Sequence, residues 1–411
     1  MNILTRLFIL LAFSLSCHRG HAENWPGWRG PRGDGSSLDS KVALEWDGSS
    51  GKNVKWKIAI PGRSHSSPVI WGDRIFLVTA DAKTQERSLL CLDRVSGEIL
   101  WTRVVLVAPF EQIHRLNTRA SSTPATDGER VYVSFLDKEH MYVAAYDFDG
   151  DKQWDARPGV FSSRHGYCSS PVLWNGKVIV NGDHDGPAYL VALNKASGET
   201  LWKTERPNNV RSYCAPIIRQ IEGRNQLILS GSKSVASFDP DTGKQHWVID
   251  GPTEQYVASM VYNKGLLLMT AGFPDHHILA IDPTGIGNVT QTHIKWRTIK
   301  GCSYVPSPAA VDDYFLVVAD NGIASCFDAL SGERHWMERL ESHYSASTMN
   351  ANGLCYFNAD NGITTIVKPG KTLEVIARND LGEEMFASPA VYKDELYLRG
   401  AHHLFCIQPA R

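Results

Sequence analysis

The stretch LDRVSGEILW at residues 92–101 returns along the chain as YDFDGDKQW (146–154), LNKASGETLW (193–202), FDPDTGKQHW (238–247) and FDALSGERHW (327–336). Looser versions stand at IDPTGIGN…IKW (281–296) and VKPGKTLEV (367–375). Each copy sets an apolar residue and an Asp or Asn ahead of a short Gly-bearing turn, and most end on Trp. Internal recurrence at about 40–50 residues is the mark of a repeat architecture, propeller blades prominent among them. The Asp can bond the turn's amides, the Gly admits positive φ, and each Trp can bury ~150–250 Å² against a neighbouring repeat. The seven residues Trp56, Trp101, Trp154, Trp202, Trp247, Trp296 and Trp336 are therefore read as structural docking groups.

A second element precedes each turn: Ser-Ser-Pro-Val (66–69), Ser-Thr-Pro-Ala (122–125), Ser-Ser-Pro-Val (169–172), Ala-Pro-Ile (215–217), Ser-Met-Val (259–261), Ser-Pro-Ala (307–309), Thr-Met (348–349) and Ser-Pro-Ala (388–390). A polar turn and an apolar run such as RIFLV, KVIV or ELYL follow every one. Each unit thus predicts a four-stranded antiparallel meander. The last unit lacks a fourth strand before the chain reaches Arg411, whereas Val54–Ile58 is a Trp-bearing strand with no partners ahead of it. Joining the two completes an eighth blade and removes the open sheet edges. The fold class is all-β: an eight-bladed β-propeller closed by an N-terminal strand in the C-terminal blade. Deleting residues 53–60 is expected to cost more stability than deleting 23–40.

Residues 1–22 have Arg6, an apolar run from Leu7 to Leu15 and a small-x-small site at Gly20-His21-Ala22, which reads as a secretory signal. The expected organisation is a signal peptide at 1–22, a leader segment at 23–52 and the propeller at 53–411. The product is expected in the periplasm or outside the cell, as a monomer. Lipid anchoring at Cys17 is the less favoured route. No later stretch approaches the roughly 20 apolar residues of a membrane-spanning helix. The seven cysteines beyond residue 22 include no CxxC pair and form no disulfide framework. A net charge of −2 without any block of Lys/Arg interleaved with aromatics excludes a nucleic-acid partner.

Together the Asp-x-x-Ser/Thr-Gly-Glu/Lys-x-x-Trp turns and the Ser-Ser-Pro strands resemble the tryptophan-docking repeat of the pyrroloquinoline quinone (PQQ)-like propellers, from about Val54 onward. That resemblance implies one of two role classes. Quinoprotein alcohol dehydrogenases bind PQQ and calcium above the central channel; BamB-like propellers are non-catalytic parts of outer-membrane assembly. The dehydrogenase branch carries a vicinal disulfide, and this chain has no Cys-Cys pair. No cofactor is therefore expected, PQQ included.

In a propeller the loop entering each innermost strand arrives at the channel mouth. Reading back from the Ser-Pro anchors places His65, Arg119, His165, Tyr167, Arg211, Tyr213, Tyr256, Tyr304 and His343 there, with Arg63, Asn117, Cys168, Cys214 and Tyr344 beside them. Such a ring can hold an anionic or sugar-like ligand, or a metal through His65, His165 and His343. The plainer reading, that these side chains plug the mouth and bond backbone carbonyls, is favoured because the spacing imposes no metal geometry. Asp147–Asp151 echoes a calcium loop but has Lys152 where Gly belongs. The Ala-Asp-Asn-Gly turns at 319–322 and 359–362 read as turn chemistry. No P-loop, HExxH or GxSxG is present. With no catalytic residue assigned, the expected function is a non-catalytic scaffold for an envelope protein. The alternatives are an oxidoreductase, or a binder of small ligands or of polysaccharide on Trp71 and Trp174.

Overall fold

Residues 23–410 are described by a computed structural model, so the predicted signal segment and Cys17 lie outside them. Every regular element in this span is a strand, and the strands form eight sheets, each built on four antiparallel neighbours. Blade 1 shows the pattern: Val69–Trp71, Arg74–Asp81, Glu86–Asp93 and Ile99–Val107, paired in sequence order from the axis outward. The two middle strands are buried almost throughout because neighbouring blades cover both their faces, which is why RIFLVTAD and ERSLLCLD read as near-continuous apolar runs. The outermost strand sits where the wedge widens and alternates between covered and exposed residues.

The ring closes as the sequence predicts. Strand Val54–Ala59 lies antiparallel to His403–Ile407, with Trp56 opposite Cys406 and Lys57 opposite Phe405, and completes the sheet of Ala390–Tyr392 and Glu395–Arg399.

Both repeated elements act between blades. The indole N–H of Trp56 donates to the carbonyl of Arg94 in the next blade's turn at 3.1 Å, Trp101 to Phe148 at 2.9 Å, and Trp154 to Lys195 at 2.9 Å. Trp202, Trp296 and Trp336 do the same. The turn glycine lies flat on that indole: a Cβ on Gly97 would stand 2.8 Å from the Trp56 ring. Its φ of 81° adds a second reason for Gly. Asp93 Oδ1 accepts the amides of Val95 and Ser96, and Asn194, Asp239 and Asp328 repeat the arrangement.

Nearer the axis, a Ser or Thr in or next to most of the Ser-Pro-type elements passes a hydrogen bond around the ring. The amide of Ser67 donates to Thr123 Oγ1, Thr123 to Ser170 Oγ, Ser259 to Ser307 Oγ, Ser307 to Ser347 Oγ and Ser347 to Ser388 Oγ, all at 2.9–3.0 Å. From blade 3 to blade 4 the series stops, because Ala215 has no hydroxyl to offer.

Trp247 departs from the expected docking. The degenerate turn that follows it in blade 5 is long, and its Gly287–Asn288 pairs in parallel with Gln245–Asp250 as a fifth strand of blade 4. Trp247 is wholly buried, and its N–H goes to Gln226 Oε1 of its own blade at 2.8 Å.

The leader is part of the disc, a point the sequence left open. Trp25 exchanges both backbone hydrogen bonds with Ile70 of blade 1, and the indole of Trp28 donates to Ser259 of blade 5. Arg29, 2% exposed, donates to the Pro308 carbonyl at 2.5 Å and also bonds the carbonyls of Asp34 and Thr348. Gly35 and Ser37 pair with Asn350 of blade 7. Contacts with blades on opposite sides of one ring place residues 25–37 across its axis. The chain then packs Val42, Ala43 and Trp46 against blades 7 and 8, where Asn379 bonds both Trp46 N and Leu44 O, before entering strand Val54–Ala59.

Candidate functional site

The loops entering the innermost strands form the other mouth, and most of the predicted ring is engaged in protein–protein bonds there. Tyr167 is buried, with its hydroxyl donating to Ser134 Oγ at 3.1 Å and its ring edge-on to Phe161. Tyr256 is also buried and donates to the Gly251 carbonyl at 2.7 Å. Tyr213 shares a 2.8 Å bond with Ser163 Oγ, and Tyr304 donates to Gln255 Oε1 at 3.3 Å. Burial holds the Tyr213 hydroxyl far above its ordinary titration range, so it acts as a neutral donor or acceptor. Arg211 makes a two-oxygen ion pair with Asp185 at 2.6 and 2.7 Å.

The Ala-Asp-Asn-Gly turns do more than turn the chain. Asp320 accepts the amides of Tyr304 and Val305, at 2.8 and 3.1 Å. Asp360 Oδ2 accepts from Ser345 Oγ at 3.0 Å and pairs with His343 Nδ1 at 2.6 Å. Both turns therefore clamp a mouth loop. Burial raises the Asp320 carboxyl above its usual range, against the pull of the two amides.

The three histidines do not converge. His343 belongs to Asp360, His165 packs near Tyr213 and His114, and His65 stacks on Phe386 with ring centroids 4.7 Å apart. Among the described residues no three His, Cys, Asp or Glu side chains gather in a metal-binding group.

Of the predicted nine, His65 and Arg119 line a cavity of about 580 Å³ where blades 8, 1 and 2 meet. Its other walls come from Arg63, Lys83, Arg115, Phe110 and Phe386. A recess of about 10 Å³, sharing Arg63, His65 and Phe386, continues to Arg399 at the end of strand Glu395–Arg399. Arg399 is 3% exposed, and its Nη1 donates to Ser66 Oγ at 3.0 Å and the Val78 carbonyl at 2.9 Å. Burial pulls its pKa down to about 9. Burial, then Arg399 and Arg63, lower His65 to about 4, so it is neutral near pH 7. Sequence reasoning passed over Arg399; the signal was a charge closing the apolar run ELYL.

The fold has many solved counterparts. BamB from Moraxella catarrhalis superposes with a TM-score of 0.60 at 12% identity, over 86% of this chain and 99% of that one. A quinohemoprotein alcohol dehydrogenase from Comamonas testosteroni gives 0.68 at 12% identity, over 94% and 81%. At those identities the likeness speaks for the fold alone. In sequence, a polyvinylalcohol dehydrogenase from a Pseudomonas species is 23% identical over 241 residues, 47% of this chain, which spans only 35% of that protein's length. The sequence model described as outer membrane protein assembly factor BamB matches residues 37–156 and 85–255, together more than half of the chain. The protein therefore belongs to this BamB-like family of PQQ-type repeat propellers.

Proposed function

We propose that the protein is an exported, non-catalytic scaffold that presents its mouth loops to another protein of the cell envelope. The observation that carries this reading is the commitment of the mouth side chains. Tyr167, Tyr213, Tyr256, Arg211 and His343 are spent on bonds inside the protein, which stiffens the loops. Stiff loops on a rigid disc suit binding, since little ordering entropy is lost on association. The family's description as an outer membrane assembly factor supports an envelope setting. The signal-like segment at 1–22 supports export, with cleavage after Ala22.

The scaffold is proposed to work without PQQ or a metal, since the chain has no adjacent cysteines and no three ligating side chains converge among the described residues. In vivo crosslinking followed by affinity capture tests the reading. A stoichiometric envelope partner, lost when the mouth loops are replaced, is expected; a protein that comes down alone overturns it.

The likeness to a polyvinylalcohol dehydrogenase favours a second reading, an oxidoreductase. Native mass spectrometry of protein purified from its host decides between them: a retained quinone supports the second reading, and the bare chain mass supports the first.

A further inference from the structure

The cavity where blades 8, 1 and 2 meet carries a charge imbalance that the scaffold reading does not use. Arg63, Lys83, Arg115 and Arg119 line it, against the single carboxylate of Asp81. Among the described residues none of these four cations, nor Arg399 behind them, has a carboxylate within ion-pair distance. Arg399 is the buried member of the group; two other buried arginines are matched by acids, Arg206 with Asp183 at 2.9 Å and Arg87 with Glu111 at 2.5 Å, whereas Arg29 under the leader is held by carbonyls alone. A buried guanidinium without a counter-charge is costly unless something compensates it. Arg399 satisfies Nη1 with a hydroxyl and a carbonyl, and it lines the recess that shares Arg63, His65 and Phe386 with the cavity. That recess has room for about one oxygen atom or water.

We propose that this cavity binds a small organic anion, seating a carboxylate or phosphate oxygen toward Arg399, its remaining charge against Arg63, Arg115 and Arg119, and its carbon skeleton against Phe386 and His65. Guanidinium forks match the oxygen spacing of carboxylates and phosphates, and a cleft lined by one sign of charge concentrates the opposite ion. The cavity's volume of about 580 Å³ falls among small-molecule sites rather than extended peptide grooves. His65 reports occupancy. It faces Arg63 on its own loop, Arg399 from blade 8 and the cavity's Arg115, Arg119 and Asp81, so a bound anion offsets the cationic field and raises its titration point.

The test uses the whole chain without residues 1–22, titrated calorimetrically with citrate, inorganic phosphate and a hexaglutamate peptide. Saturable binding of citrate or phosphate is expected, weakening with added salt and falling at least tenfold in Arg63→Gln/Arg115→Gln with unchanged melting. Both of those side chains are exposed, so the variant tests charge without disturbing the core. Arg399→Met is expected to weaken binding as well; if it fails to fold, the surface pair decides. NMR titration of the His65 ring is expected to move upward with citrate present. No saturable binding of citrate or phosphate, binding of the peptide alone, or equal affinity in the surface variant would overturn the proposal.

Discussion

Replacing Trp25 by Ala tests whether the leader is structural or a tail that the disc can lose. The side chain is 1% exposed in the cluster that joins blades 1, 7 and 8, and its backbone exchanges two hydrogen bonds with Ile70. Burying an indole removes ~150–250 Å² from water, worth about 4–6 kcal/mol at ~25 cal/mol/Å² as an upper bound. Truncations of buried Trp to Ala typically cost about 3–5 kcal/mol. We expect a loss in that range, seen in urea as a lower midpoint and in heating as a Tm lowered by about 4–6 °C. A companion change sharpens the test. The Trp25 indole N–H is buried without a hydrogen-bond partner among the protein groups, so Trp25→Phe keeps most of the apolar area and removes an unsatisfied donor. It should stay within about 1–2 kcal/mol of the parent. A Trp25→Ala protein melting within about 1 °C of the parent would refute the account of the leader as axial packing.

Glycine in the docking turns makes a second, paired test. Gly97→Ala meets both a positive φ and the Trp56 ring and should cost about 2–4 kcal/mol, whereas Gly176→Ala, at φ 78° with open space around it, should cost only about 1 kcal/mol. Equal losses in chemical denaturation would show that the indole contact contributes nothing. For the buried ion pair, Asp183→Asn strands Arg206 and should destabilise by about 3–5 kcal/mol, while Asp183→Leu/Arg206→Met recovers much of that; a double variant as weak as the single one contradicts the reasoning. His65 has its folded pKa depressed from 6.5 to about 4, so the unfolded chain binds the proton more readily. Its contribution is present above pH 6.5 and is lost as pH falls toward 4, up to about 3 kcal/mol at 1.36 kcal/mol per pH unit. His65→Gln should flatten the stability profile over that interval, and an unchanged slope in the variant would contradict the assignment.

Blade count and closure were legible because they rest on local, repeated chemistry. An Asp two or three residues before amides it can cap, a Gly where φ is positive and a Trp at constant spacing leave the same trace in every copy. The Ser-Pro-type element was recognised as a repeated strand signal, but the hydrogen bond from its Ser or Thr to the next blade joins residues some 40–56 positions apart, and only the assembled ring brings them together. The mouth ring was located by topology and not resolved by it: the same loop positions send Tyr256 into the core, His343 to Asp360 and His65 to the cavity.

By itself the sequence determined an all-β disc of eight blades, the strand that closes it and the residues that join one blade to the next. Repetition does this, because each unit must satisfy the same turn and the same interface. Tertiary structure alone decided the fate of everything unrepeated: the leader threaded across the axis, the fifth strand over Trp247, and the cations gathered around one corner of the mouth. Those features depend on where distant loops meet, and a single copy of a motif carries no record of its neighbours in space.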